Sequence, residues 1–126
     1  MERINETKMT DSKTNIEELK MRVQSFVEKR DWRQYHTPKN IAESICIEAA
    51  ELLQIFQWIK VNDSFSFGGN PERKRRIAEE LADVIIFCLS MANTMKIDVS
   101  NAISKKLEIN EKKYPVDLWK GKAYLE

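Results

Sequence analysis

The sequence is short of chain breakers, with three glycines and three prolines in 126 residues. They fall at Pro38, at Gly68-Gly69-Asn70-Pro71, at Pro115 and at Gly121, leaving two uninterrupted stretches from Lys39 to Phe67 and from Glu72 to Tyr114. Both are rich in Ala, Leu, Ile, Glu and Lys and read as helix, so the expected fold class is all-α. Cysteine is also scarce. Cys46 and Cys88 lie in apolar segments without CxxC spacing or a nearby histidine, which favours reduced core thiols of a cytosolic protein over a disulfide. Charge of one sign is missing as well: 21 Lys and Arg stand against 20 Asp and Glu. The summed charge therefore gives no reason to expect a nucleic-acid polymer or a membrane surface as partner. No apolar run approaches the roughly 20 residues of a membrane span, and the polar start from Met1 to Glu6 is unlike a signal peptide. The expectation is a soluble, cytoplasmic, single-domain protein.

What is present is helical periodicity. Residues 1–14 lack it and are expected to form a flexible extension. Ile16, Leu19, Val23, Phe26 and Val27 recur at helical spacing, placing a first helix from near Asn15 to about Arg30. Residues 31–36 make a connector holding Trp32 and Tyr35. Thr37-Pro38 has the form of an N-cap followed by proline at the first helical position and opens a second helix, extending to about Lys60. Asn70-Pro71 repeats the device for a third, to about Met95. Asp98 caps a fourth, to about Lys113. The architecture expected is a four-helix, bundle-like domain over residues 15–116 with a tail over 117–126.

The second and third helices are too apolar for ordinary surface helices. Ile41, Ile45, Ala49, Leu52, Phe56 and Ile59 form one stripe, flanked on both sides by further apolar residues. Ile77, Leu81, Val84, Ile85, Cys88, Leu89 and Ala92 form another. A monomer of this size would leave much of that surface wet, which predicts a homo-oligomer.

Four carboxylates sit inside these apolar helices, in Glu48-Ala49-Ala50-Glu51 and Glu80-Leu81-Ala82-Asp83. Spacing of i, i+3 puts each pair on one helix face, on flanks shared with Ile47, Ile55 and Trp58 in one case and Phe87 and Met91 in the other. Unpaired carboxylates in such surroundings cost several kcal/mol each. A divalent cation resolves the cost, and oxygen ligands without His or Cys favour Mg²⁺ or Mn²⁺ over zinc. A di-iron bundle would need ExxH on two helices, whereas the only histidine, His36, lies in a connector. A solvated helix face or salt-bridge partners, such as Arg76 and Lys60, are the alternative for these acids.

Four segments in order carry a resemblance: Arg30-Asp31-Trp32-Arg33-Gln34-Tyr35-His36-Thr37-Pro38-Lys39-Asn40; Glu48 to Leu53 through Phe56-Gln57-Trp58; Glu79-Glu80-Leu81-Ala82-Asp83-Val84; and Asn110-Glu111-Lys112-Lys113-Tyr114-Pro115. Together they resemble the MazG-like nucleotide pyrophosphohydrolases, in particular the short, single-domain dCTP pyrophosphatase type, over residues 16 to 116. The resemblance implies Mg²⁺-dependent hydrolysis of nucleoside triphosphates to the monophosphate and pyrophosphate, often as house-cleaning of the nucleotide pool. It also implies a helical fold assembled as a dimer or dimer of dimers, with the metal on Glu48, Glu51, Glu80 and Asp83. The expected chemistry is in-line attack of water on a phosphoryl group, with Glu48 or Glu51 as base. For the nucleoside, the resemblance implies Trp32, His36, Trp58, Phe87 and Asn110, with dCTP and its modified forms ahead of other substrates. The resemblance implies tyrosine in many relatives where Phe87 stands, so a polar contact through that hydroxyl is not expected here. Lys113, and Arg76 four residues before Glu80, are candidates for phosphate. Segment Val61 to Gly69 is expected as a flap or surface loop. Two other readings remain beside the enzyme: a catalytically silent nucleotide-binding or regulatory module, and a structural helical oligomer.

Overall fold

The computed structural model describes residues 8–124. Among them six α-helices follow one another without a strand: α1 Ile16–Lys29, α2 Pro38–Phe56, α3 Ser64–Phe67, α4 Pro71–Met95, α5 Val99–Lys113 and α6 Val116–Trp119. Of the extension expected over 1–14, residues 1–7 lie outside the described residues, and Asp11–Lys13 forms a single 3-10 turn.

The helix starts follow their caps. Asn15 accepts the Glu18 amide on its side chain at 2.9 Å, and Thr37 accepts that of Asn40 at 3.3 Å ahead of Pro38. Asn70 accepts from Glu72 and Arg73 at 3.0 and 3.2 Å ahead of Pro71. Each bond satisfies an amide that the first helical turn leaves without a partner, and its loss costs about 1 kcal/mol. The end of α1 is a two-bond wrap. Asp31 adopts φ 52°, and the amides of Asp31 and Trp32 reach back to the carbonyls of Glu28 and Val27 at 3.0 and 3.1 Å. A left-handed residue followed by these two bonds closes a helix and brings the next side chain onto the last turn. Here that side chain is Trp32, whose ring meets Phe26 edge-on at 5.8 Å between centroids.

The chain divides into two compact units, one up to Lys96 and one from Ile97 onward. In the first, α4 is the central element, with α2 and α1 both packed on it. The pairing of α2 with α4 is antiparallel: His36, just before α2, meets Ser90 near the end of α4, while Glu48 meets Glu80 and Asp83 halfway along. Val27 from α1, Ile41 from α2, and Leu89 and Ala92 from α4 are the buried apolar residues among those described. Burying a side chain of this kind contributes about 1.5–3 kcal/mol, against roughly 1–2 kcal/mol per residue for ordering backbone, so this core is thin. Apolar surface remains open on both long helices, at Ile47 and Leu53 on α2 and at Leu81, Ile85 and Ile86 on α4.

Three expectations change here. Cys46 and Cys88 are free, but both are exposed rather than core residues, because they lie on flanks of α2 and α4 that no other helix of this unit covers. The second helix stops at Phe56 instead of about Lys60. The amides of Gln57 and Ile59 turn back to Gln54 and Phe56 at 3.3 and 3.0 Å, and the Phe56 ring packs on Phe67 at 5.7 Å. Segment Val61 to Gly69 is also no plain loop, since Val61–Asp63 forms a 3-10 turn running into α3.

In the second unit Asp98 accepts the Asn101 amide at 2.8 Å and starts α5. Beyond it, Trp119 on α6 meets the Tyr114 ring edge-on at 5.0 Å.

Candidate metal centre

The antiparallel pairing of α2 with α4 brings the two carboxylate pairs together. Glu48, Glu80 and Asp83 each offer an oxygen, and these oxygens lie within 4.8 Å of one another. Glu51, one turn along α2, is not one of that trio but lies near enough to raise the carboxyls of both Glu48 and Glu80. Glu48 and Glu80 are half-buried, while Glu51 and Asp83 are exposed.

The electrostatics of this group are unfavourable as it stands. Burial, then the neighbouring Glu51, Asp83 and Glu80, push the Glu48 carboxyl above its ordinary range. Burial and then Glu51 do the same to Glu80. Carboxylates gathered this closely repel one another, so without a cation the group favours retaining protons. Glu48 and Glu80 each keep one buried oxygen, Oε2, with no hydrogen-bond partner. No Lys or Arg relieves them: the ion pairs among the described residues are Lys39 with Glu43, and Arg75 with Glu72 and Glu79. Arg76 does not pair with Glu80, nor Lys60 with any of the four. Two orphaned oxygens in an all-carboxylate donor set fit a hard divalent cation, which supplies both the missing partner and the missing charge.

From this centre an aromatic track continues along α4. Phe87 lies one turn beyond Asp83, and the His36 ring stacks on it at 6.2 Å with 30° between planes. His36 Nδ1 is 3.2 Å from Ser90 Oγ. His36 and Ser90 also line a cleft of about 200 Å³ together with Arg33, Thr37, Asn93 and Lys96. The structure thus brings His36 and Phe87 together. Trp32 is held by the wrap at the end of α1 and is 43% exposed. Trp58 is 87% exposed beyond the end of α2, which speaks against a core role within the unit. Arg76 is exposed on the first turns of α4. In the same basic run Arg75 bonds Glu72 and Glu79, and Arg73 lies 4.3 Å over the Phe67 ring. Asn110 and Lys113 belong to α5 in the second unit, where Asn110 is half-buried and the Lys113 ammonium sits 5.3 Å over Tyr114. Ser90 is not among the residues that the sequence pattern singles out, although a lone hydroxyl inside the apolar run Val84 to Ala92 is itself a signal.

Residues 43–123, which include all four carboxylates, match the MazG-like family. The chain belongs to the MazG-like family. Among its relatives, dCTP pyrophosphatase 1 from Bos taurus is 30% identical over 89% of this chain and 66% of its own length. The Homo sapiens protein of the same name is 31% identical over 82% of this chain and 61% of its own length. This MazG-like chain thus spans less than two thirds of the curated relatives it matches. A pyrophosphatase from Archaeoglobus fulgidus is 41% identical and superposes with a TM-score of 0.75, covering 86% of this chain and 99% of that one. The all-α MazG-like fold expected from the sequence is therefore the fold observed. No helix among the described residues is long and apolar enough to cross a membrane.

Proposed function

We propose that this protein is a Mg²⁺-dependent nucleoside triphosphate pyrophosphohydrolase, converting a triphosphate and water to the monophosphate and pyrophosphate. The observation that carries the reading is the convergence of Glu48, Glu80 and Asp83 within 4.8 Å, with two buried oxygens that have no protein partner. The family and its pyrophosphatase relatives supply the reaction class.

Glu48, Glu51, Glu80 and Asp83 hold the cation, with Mn²⁺ an acceptable substitute. When bound, it neutralises charge on the polyphosphate and on the departing pyrophosphate. Glu51 is exposed and lies beside both Glu48 and Glu80, which suits it to take the proton of the attacking water. Trp32, His36, Trp58 and Phe87 offer rings for the nucleoside, where stacking on an aromatic is worth about 1–3 kcal/mol per base. Asn110 is assigned to the base or sugar, and Arg76 and Lys113 to phosphate. By analogy with the relatives, the preferred substrate is dCTP or a modified pyrimidine deoxynucleotide, and the role is house-cleaning in the cytoplasm. Residues 15–116 form the catalytic domain, with 117–126 as its tail.

A panel of dCTP, 5-methyl-dCTP and other triphosphates, read by pyrophosphate release, tests the reading. Release with Mg²⁺ and none with EDTA is expected, fastest for the dCTP forms. No pyrophosphate from any triphosphate would leave a catalytically silent nucleotide-binding module instead.

The protein acts as a homo-oligomer, a dimer or dimer of dimers. Its support is the thin core and the open apolar residues of α2 and α4, which a second copy would cover. Light scattering is expected to give at least twice the 14.8 kDa chain mass, and a mass of one chain would refute the assembly.

A further inference from the structure

Ser90 is the buried polar residue of the described chain, 5% exposed among the apolar side chains of α4. A buried hydroxyl that does not donate its proton loses the bond it had to water. Its one hydrogen-bond partner among the described residues is His36 Nδ1, at 3.2 Å and 54 positions away in sequence. A neutral imidazole donates through one ring nitrogen and accepts through the other. Were Nδ1 protonated, it would donate to Oγ, and the hydroxyl proton would be left inside the protein without an acceptor. Donation from Ser90 to Nδ1 satisfies both groups and leaves the proton of the ring on Nε2, which has no partner among the described residues. The ring is held from a second side by Phe87. Asp83, Phe87 and Ser90 lie at i, i+4 and i+7 on α4, one face of a helix. The hydroxyl that meets the histidine therefore stands on the same face as Asp83, one of the clustered carboxylates.

We infer that Ser90 is a positioning residue: its hydroxyl fixes the tautomer and orientation of His36, so that the ring offers Nε2–H as a donor to an acceptor oxygen or nitrogen of the bound nucleotide. The nucleotide part rests on the function proposed above; the tautomer part does not. In a binding site, a fixed donor favours substrates that carry an acceptor at that point, because a group lacking one leaves the donor unpaired.

His36 is the single histidine of the chain, so its imidazole nitrogens give one set of ¹⁵N signals in the metal-free, substrate-free protein. At a pH where the ring is neutral, the wild type is expected to show the Nε2–H form alone, and Ser90→Ala a mixture of both forms. A wild-type spectrum with the proton on Nδ1, or an unchanged spectrum in Ser90→Ala, overturns the inference. The wild-type spectrum decides this even if the variant fails to fold. In turnover with dCTP, or the best triphosphate of the panel, Ser90→Ala should raise KM roughly five- to tenfold with kcat within about twofold. In a His36→Ala background the same substitution should change KM by less than about twofold, because Ser90 acts through the ring. An equal effect in both backgrounds would assign Ser90 a packing role and overturn the inference. A wild type that hydrolyses none of the triphosphates defeats the proposed function and the nucleotide part, while the nitrogen spectra still decide the tautomer.

Discussion

Glu48→Gln is expected to lower kcat/KM for Mg²⁺-dependent triphosphate hydrolysis by roughly 10³-fold, a loss comparable to that of a major electrostatic contact in a transition state, and at the same time to raise the melting temperature of the metal-free protein. The two effects have one origin. Glu48 is half-buried, keeps an unpartnered oxygen, and faces three other carboxylates. Without a cation its charge is a liability, and an uncharged amide of the same shape removes that liability. With a cation the same charge is the ligand, and the amide is a poor replacement. A purely structural role for these acids predicts the opposite pairing, with activity kept and stability unchanged or reduced. Steady-state kinetics and a thermal melt in EDTA, on one preparation, separate the two.

The second large effect is in the dependence of stability on pH and metal. Glu48 and Glu80 both have folded-state carboxyls raised above the ordinary 4.5. The folded protein therefore binds their protons more tightly than the unfolded chain does. Their stabilising contribution is fully present below the unfolded value and is lost as pH rises through the raised folded values. In EDTA, the melting temperature of the wild type relative to a Glu48→Gln, Glu80→Gln double variant should thus fall as pH climbs from about 4.5 toward neutrality. Mg²⁺ should restore it at neutral pH. Saturation at about a hundredfold over Kd corresponds to about 2.7 kcal/mol, on the order of 10 °C for a small domain. At acid pH, where protons hold the carboxylates, the same Mg²⁺ should have little effect. A melting temperature indifferent to Mg²⁺ at neutral pH would remove the metal centre.

Much of this was legible in the residues because the signals were local. Asn70-Pro71 and Asp98 mark helix starts through their own side chains, and α4 and α5 begin where those caps place them. The carboxylate pairs were conspicuous because four charges stood in apolar helices. What failed to read was whatever depended on distant partners. Apolar periodicity runs past Phe56 through Trp58 and Ile59, yet the helix stops where Phe56 turns to Phe67. Cys46 and Cys88 belong to apolar helices, but a flank is core only if something covers it, and nothing in this unit covers theirs. The contact between Ser90 and His36 joins residues far apart in the chain, and only the antiparallel pairing of α2 with α4 makes them neighbours.

That pairing gives α4 the character of a measuring rod. From Asp83 to Ser90 the helix rises about 10 Å, at roughly 1.5 Å per residue, and no glycine or proline between them allows the distance to stretch. One residue inserted in this stretch would swing everything beyond it by about 100°. The acidic end would remain intact while the end that holds His36 faced elsewhere. Length and register of a single rigid element thus set how far the carboxylates stand from the His36 ring.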